Sequence, residues 1–269
     1  MSDRAASNNY KQQVIADFNS RTNYDNEWRY RFANHLIELA HLQPGQRVLD
    51  VATGTGIVAI ASAKIVGSQG HVVGVDISTG MLNHAQRKIE AEGLHNIELI
   101  EADADYLNFS DNFDAILCSS AIVYLTDIAN SLQQWYNFLK MGGLLAFSCL
   151  AQTAMTASVL FREKAQAYGI SIPNPNEILG TPQKCDRILQ DAGFKDIKVV
   201  TEQLGFYLGD AEAAWNANAN SAFGYQVFQL PPERLAQLKA EYFAQFEALS
   251  STEKKFWNDV TAYFVLARK

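Results

Sequence analysis

The stretch Val48-Leu-Asp-Val-Ala-Thr-Gly-Thr-Gly56 decides the fold. It begins as an apolar run without polar alternation, which is typical of a short, fully buried parallel strand. Two glycines then predict a turn, and the Ala/Ile-rich segment Ile57–Val66 suits a helix packed on a sheet. A second buried strand is predicted at His71–Asp76. Strand, turn, helix and strand in this order predict a right-handed βαβ unit.

The same alternation continues along the chain. We therefore predict an α/β fold: a Rossmann-like, doubly wound sheet of seven strands, mostly parallel, with helical lid and cap insertions. The last strand ends the chain without a following helix, so it is expected to run antiparallel. The further predicted strands are Ile97–Glu101, Phe113–Ser119, Leu144–Leu150, Asp196–Glu202 and Val260–Ala267, and the further helices are Met81–Glu92, Ile128–Leu139 and Pro182–Ala192.

Some regions lie outside this regular pattern. The N-terminal segment is helical by its apolar spacing, and two later insertions are rich in aromatic residues. Insertions beyond the carboxyl ends of strands lie where open α/β sheets bind ligands. The expected organisation is a helical lid (1–44), a ligand-binding core (45–150), cap insertions over the active site (151–180 and 205–256) and the C-terminal part of the sheet (181–204 and 257–269).

Composition and charge exclude several classes of protein. The 269 residues carry 22 Lys+Arg against 29 Asp+Glu, and the net charge of −7 argues against a nucleic-acid binder. Three widely spaced cysteines, Cys118, Cys149 and Cys185, predict neither a disulfide framework nor a metal site, and indicate a reducing, cytoplasmic setting. The uncharged window between Lys140 and Arg162 contains glycines and polar residues, so we expect a buried strand and a helix there, with no membrane span.

Asp50 distinguishes between two possible ligands of the glycine turn. Gly54, Gly56 and Ala59 satisfy the G-x-G-x-x-G/A pattern, so an NAD(P)-dependent oxidoreductase is one interpretation. However, Asp50 lies four residues before Gly54, where its carboxylate would repel a pyrophosphate. A ligand that carries an ammonium group would instead find a partner there.

Two further carboxylates follow the next strands. Asp76 ends the second strand, twenty residues after Gly56, and is placed to accept hydrogen bonds from ribose hydroxyls. Asp103 follows the third strand, where it could accept from an adenine amine. S-adenosylmethionine combines an ammonium, a ribose and an adenine without a phosphate. The alternatives are that Asp76 only caps the next helix and that Asp103 is a solvated loop acid.

Five motifs in register resemble the class I S-adenosylmethionine-dependent methyltransferases. The N-terminal Phe18-Asn-Ser-Arg-Thr-Asn-Tyr-Asp25 resembles the lid of the branch that contains the ubiquinone/menaquinone C-methyltransferases. The five motifs cover about residues 45–150, and the tail Leu189-Gln-Asp-Ala-Gly-Phe194 also resembles the family. The motifs are Val48–Gly56, Gly74-Val-Asp-Ile-Ser78 with Met81, Glu101-Ala-Asp-Ala104, Phe113-Asp-Ala-Ile-Leu-Cys-Ser119 and Leu139-Lys-Met-Gly-Gly143.

This resemblance implies a role for each matching residue. Ala52 replaces the first glycine of the family's longer pattern, a departure that leaves the turn intact. Met81 is equally well explained as helix core or cofactor contact. The implied site consists of Tyr24 from the lid, Gly54 and Gly56 beside the methionine part, Asp50 at its amino group, Asp76 at the ribose, Ile77 on an adenine face, Asp103 and Ala104 at the adenine edge, and Cys118 and Ser119 near the sulfonium.

The predicted reaction is methyl transfer to O, N or C of a small-molecule acceptor, with S-adenosylhomocysteine as product. Many relatives place a histidine after the fourth strand, but this chain has Ile122-Val123-Tyr124. Tyr124 is therefore the candidate for orienting an acceptor hydroxyl, with core packing as its alternative role. A non-catalytic S-adenosylmethionine binder would share every cofactor residue and stays an alternative. The acceptor and the oligomeric state are left open.

Overall fold

The computed structural model describes residues 2–21, 24–110, 112–250 and 255–269, with side chains from residue 9 onward. The described chain forms two units. The sheet unit comprises Met1–Cys149, Thr181–Val200 and Tyr263–Lys269, and the helical unit comprises Leu150–Gly180 and Thr201–Ala262.

The sheet unit is built on one seven-stranded sheet with the order β3-β2-β1-β4-β5-β9-β6. Strand β1 lies between β2 and β4, and Asp50 is level with Gly74 on one side and Leu117 on the other. The backbone of Lys269 exchanges hydrogen bonds with Gly142 and Gly143, so β9 runs antiparallel to β5. The predicted fold class is confirmed. The strands are β1 (Arg47–Val51), β2 (His71–Asp76), β3 (Ile97–Glu101), β4 (Phe113–Ser119), β5 (Leu139–Leu150), β6 (Lys195–Glu202) and β9 (Ala262–Arg268).

Four of the helices of the sheet unit begin at polar caps. Asn26, Ser78, Asp127 and Thr181 each accept a backbone N–H of the first helical turn, which satisfies a donor that the helix leaves unpaired. The helices that follow the first two strands pack on the sheet, and the described part of this unit contains six helices in all. These helices are α1 (Ser2–Ser20), α2 (Glu27–Ala40), α3 (Ile57–Val66), α4 (Thr79–Ala91), α5 (Ile128–Phe138) and α7 (Pro182–Asp191).

Strand β5 starts earlier than its sequence predicts. It begins at Leu139 instead of Leu144, and the register against β4 shifts between the pairs Phe113–Leu139 and Ala115–Leu144. Gly142 has a positive φ of 74°, so the two glycines form an irregularity inside the strand instead of a turn before it. Helix α5 correspondingly ends at Phe138.

The helical unit has its own apolar core. Helices α6 (Thr156–Ala167), α8 (Ala211–Ala219) and α9 (Pro232–Leu249) accompany a two-stranded antiparallel ribbon of β7 (Gly205–Leu208) and β8 (Phe256–Asp259), which the sequence pattern did not predict. Asn258 of the ribbon is buried and accepts the backbone N–H of Ala157 near the start of α6. The buried aromatic residues of the core of the helical unit are Phe161, Trp215, Tyr242, Phe246 and Phe256.

No helix in the described part of the chain is long and apolar enough to cross a membrane.

Candidate cofactor and active site

The glycine turn after β1 opens toward the lid segment. Gly54 has a φ of 56°, and among the described residues a Cβ built on it would meet Tyr24 Cε1 at 4.0 Å, the limit of contact. Gly56 has a φ of 78°, but a Cβ there would come within 3.1 Å of the Ala85 Cβ on α4. Gly54 therefore leaves space for a ligand beside the backbone, whereas Gly56 permits close packing of the turn on α4.

Ala52 adopts the left-handed backbone that glycine favours. Its φ is 54°, a conformation that costs a residue with a Cβ about 1–2 kcal/mol. We expect Ala52→Gly to raise the free energy of unfolding by about 0.5–1 kcal/mol, because relief of this strain exceeds the entropy that glycine adds to the unfolded chain. Urea denaturation measures the difference.

Ala91→Gly is the matched control for that substitution. Ala91 is exposed and lies in the right-handed backbone of α4, so glycine should lower stability there. If both variants lose stability equally, the positive φ of Ala52 carries no strain.

Asp50 is buried inside the glycine turn. Its carboxylate is 1% exposed, accepts the Thr53 hydroxyl at 2.5 Å and accepts the backbone N–H of Ala59. Burial raises the pKa of Asp50 to about 7, and the negative charge of Asp76 contributes to the same shift. These contacts show that Asp50 orders the turn and the start of α3. Its contact with a ligand's ammonium group stays a prediction.

Asp76 joins the loops that follow β1 and β2. One carboxylate oxygen accepts the Gly54 N–H and the other accepts the Ser78 N–H, both at 2.8 Å. Burial raises the pKa of Asp76, although these backbone hydrogen bonds and one from the half-buried Ile77 oppose the shift. Each carboxylate oxygen accepts about two hydrogen bonds, so Asp76 retains capacity for ligand hydroxyls. The cap of α4 is Ser78, so the alternative in which Asp76 caps that helix is not needed.

The loop after β3 contains a pair of carboxylates that bind the lid. Asp103 accepts the Asp105 N–H at 3.0 Å, which starts a 3₁₀ turn over Ala104–Tyr106. Lys11 of α1 contacts Asp103 at 2.8 Å and Asp105 at 2.7 Å. Asp103 is therefore an ion-pair partner and not a solvated acid, while Ala104 is half-buried beside it.

Asp105 is the buried member of this pair and was missed by sequence reasoning. Its carboxylate accepts the backbone N–H and the hydroxyl of Thr126, and the hydroxyl of Ser131. Burial opposes ionisation, but the hydrogen bonds from Lys11 and Thr126 outweigh it and lower the pKa of Asp105. Asp105 thus fastens the loop after β3 to the loop before α5. A motif centred on Asp103 alone does not reveal this role.

The lid segment touches all three of these loops. Asp25 accepts the Thr55 hydroxyl and pairs with Lys88 of α4 at 2.7 Å. Asn19 accepts the Ser78 hydroxyl at 2.7 Å and the Gly80 N–H at 3.0 Å. A Cβ on Gly80 would lie 2.9 Å from the Asn19 Oδ1, so glycine permits this approach. Thr22 and Asn23, inside the predicted lid motif, lie outside the described residues.

Tyr24 lies among aromatic and guanidinium groups. The Arg29 guanidinium is 3.8 Å from its ring centroid, and Arg29 Nε donates to the Tyr24 carbonyl at 2.7 Å. Phe18 lies 6.0 Å from Tyr24 and 5.2 Å from Tyr124, measured between ring centroids. The structure thus brings the predicted residues Tyr24 and Tyr124 next to the same ring, that of Phe18.

The predicted wall at the end of β4 contains one packed side chain and one partly accessible one. Cys118 is 1% exposed, and burial raises the pKa of its thiol, which is the behaviour of a small core residue. Ser119 is half-buried at the carboxyl end of the strand. Met81 is also 1% exposed, which fits helix core, and its cofactor contact stays a prediction. Within the described residues, no group of His, Cys, Asp and Glu is arranged to hold a metal ion.

Comparisons with known proteins agree with this geometry. The chain is 34% identical over 144 residues to an aklanonic acid methyltransferase, DauC, from Streptomyces sp. (52% of this chain, 66% of that protein). It is 30% identical over 196 residues to a demethylmenaquinone methyltransferase from Listeria welshimeri (66% of this chain, 81% of that protein). The solved structure of YcgJ from Bacillus subtilis shares the fold, with a TM-score of 0.63 at 16% identity (89% of this chain, 98% of that chain).

The fold, the carboxylate-lined loops and these relatives define an S-adenosylmethionine-dependent methyltransferase. The model of the ubiE/COQ5 methyltransferase family matches residues 22–192, and the chain belongs to that family.

Proposed function

We propose that this enzyme transfers the methyl group to O, N or C of a small acceptor with an aromatic or quinone ring. The observation that carries the methyl-donor part of the proposal is the Asp76 carboxylate, which ties Gly54 to Ser78 and still has acceptor capacity. The relatives that act on demethylmenaquinone and aklanonic acid support such an acceptor. The net charge of −7 supports a small molecule over a nucleic acid.

The residues of the three loops fit S-adenosylmethionine. We propose that Asp76 binds the ribose hydroxyls, that Asp103 binds the adenine amine beside Ala104, and that Ile77 covers an adenine face. Gly54 lets the methionine part approach the backbone below Tyr24, and Asp50 supplies negative charge behind it. Ser119 and Cys118 form the wall at β4.

Catalysis rests on alignment of the reactants and on exclusion of water from the site. Bound S-adenosylmethionine supplies a methyl group already activated by its sulfonium. This chain contributes alignment, which is worth up to several kcal/mol in such displacements. The rings of Tyr24 and Phe18 exclude water from this edge of the sheet. Tyr124 follows the fourth strand in a 3₁₀ turn and orients the acceptor.

The organisation of the chain follows from the same proposal. We propose that residues 1–44 form a lid, because Lys11, Asn19 and Asp25 contact the three loops around the cofactor residues. The three cysteines are buried, which fits a reducing, cytoplasmic compartment.

The direct test is formation of S-adenosylhomocysteine in the presence of a panel of reduced quinones, phenols and aromatic acids. We expect product with some members of the panel, binding of S-adenosylhomocysteine in calorimetry, and no change of NADH fluorescence. Gly54→Val is the matched control, because its side chain would fill the open space at a position with positive φ. Tight binding without any turnover would favour a non-catalytic binder, and NADH binding would favour an oxidoreductase.

A further inference from the structure

Arg21 lies against aromatic rings beside the proposed cofactor site. Its guanidinium carbon lies 4.4 Å from the Phe18 ring centroid and 6.0 Å from that of Tyr24. Phe18 packs edge-on against Tyr124, the residue that follows β4. We call Phe18, Arg21, Tyr24 and Tyr124 the Arg21 cluster. It lies at the carboxyl edge of the sheet, between the glycine turn and the end of β4.

The guanidinium of Arg21 has unused donors. Its Nε and Nη2 donate side-on to the two oxygens of Asp17 at 3.0 and 2.9 Å. A guanidinium carries five N–H donors, so three remain, including both on Nη1. In the described part of the chain these three have no acceptor, and the side chain is 30% exposed. The end of the guanidinium fork is therefore accessible to a second oxyanion.

The four residues of the Arg21 cluster supply hydrogen-bond donors at neutral pH and include no carboxylate or imidazole that could act as a base. Burial raises the pKa of the Tyr124 hydroxyl, so it stays protonated. Burial disfavours the charged form of Arg21, but the hydrogen bonds with Asp17 outweigh this and raise its pKa. Asp17 is the carboxylate in contact with the cluster, and both of its oxygens are engaged by Arg21. An acceptor that must lose a proton in the site would find little help here.

Building on the proposed function, we propose that Arg21, together with Tyr124, binds an ionised oxygen of the acceptor and thereby selects acidic phenols, enols or carboxylic acids. The acceptor arrives without its proton. Its oxygen, or the carbon conjugated with it, forms the bond to the methyl carbon while the carbon–sulfur bond breaks. The electron pair leaves on sulfur as neutral S-adenosylhomocysteine, and no proton transfer is required in this step. Arg21 is thus a specificity-determining residue.

Two matched probes test this inference. 2-Hydroxy-1,4-naphthoquinone is ionised at neutral pH, and 2-methoxy-1,4-naphthoquinone has the same rings without an acidic group. Calorimetry with protein saturated with S-adenosylhomocysteine measures both. We expect the ionised probe to bind about ten- to a hundredfold more tightly, which is the range of a hydrogen bond to a charged group. Arg21→Met should remove most of this preference and leave the methoxy probe within about twofold.

Three further variants sharpen the test. Arg21→Lys keeps the charge without the fork and should retain part of the preference. Asp17→Asn releases the guanidinium and should tighten binding of the ionised probe. Arg87→Met removes an exposed arginine of α4 and is the control, expected to match the parent.

Several results would overturn the inference: equal affinity for the two probes, an equal loss of both in Arg21→Met, or weaker anion binding in Asp17→Asn. The inference would also be overturned if neither of the two naphthoquinones bound. The parent protein must bind S-adenosylhomocysteine throughout. If it does not, the proposed function itself fails, whereas bound S-adenosylhomocysteine without an effect at Arg21 rejects only this inference.

Discussion

Asp76→Ala is expected to weaken the binding of S-adenosylhomocysteine about a hundredfold. The carboxylate would lose its hydrogen bonds to the ribose, each worth about 1.5–3 kcal/mol for a charged group. It would also release the Gly54 and Ser78 N–H groups that it now holds at 2.8 Å. Both effects loosen the turn on which the ligand is proposed to rest. Isothermal titration calorimetry measures the change directly.

A 2′-deoxy analogue of S-adenosylhomocysteine separates the two effects. If Asp76 binds the ribose, the substitution should cost the natural ligand more affinity than the analogue, and the difference is the coupling energy. Ser78→Ala is the control, since it removes the α4 cap at Met81 and the lid contact with Asn19 but leaves Asp76 in place. An equal loss for both ligands would mean that Asp76 only orders the loops.

Most of the sheet could be predicted because its signals are local. Strands β2, β3 and β4 occur at the predicted bounds, and in β2 and β4 the signal is the buried apolar run of a parallel strand. The predicted start of β5 was wrong, because a glycine pair in a sequence indicates a turn whether it precedes a strand or lies inside one. The β7–β8 ribbon was missed, since its two strands are far apart in the sequence.

The site could be predicted only where a residue lies at the end of a strand. Asp76 and Asp103 follow directly from that position, and the structure places both at the expected edge of the sheet. The ion pairs of Lys11 join residues about ninety positions apart, and no local pattern encodes such a contact. Arg21 lies inside the lid motif Phe18–Asp25, yet its proposed role depends on contacts with Phe18 and Asp17 and on the packing of Tyr124 against Phe18, which only the fold brings about.

Asp50→Asn is expected to abolish a pH dependence of cofactor binding. The pKa of Asp50 is about 7 in the ligand-free protein, mainly because of burial. If the ligand's ammonium group favours the ionised carboxylate, binding below pH 7 must release a proton. Affinity for S-adenosylhomocysteine then falls about tenfold per pH unit below 7 and levels off above it. The asparagine side chain has no such proton to release. Any pH dependence of affinity that this variant keeps therefore belongs to other groups, including the ligand's own amine.

The stability of the ligand-free protein provides an independent measure of the same group. An aspartate in the unfolded chain titrates near pH 3.9, well below the value in the fold. Between about pH 4 and pH 7 the folded protein therefore binds more protons than the unfolded chain, and its free energy of unfolding should fall as pH rises. Asp50→Asn should not show this component. Urea denaturation of both proteins from pH 4 to pH 8 gives the difference.

The two measurements together test whether the buried acid serves the ligand or only the turn. A role at the ligand requires the pH slope of binding to differ between the parent and Asp50→Asn. A role confined to Thr53 and Ala59 predicts the stability difference with parallel binding curves. Parallel binding curves would therefore remove Asp50 from the proposed ammonium site, while the positions of Asp76 and Gly54 would still support a cofactor site at this turn.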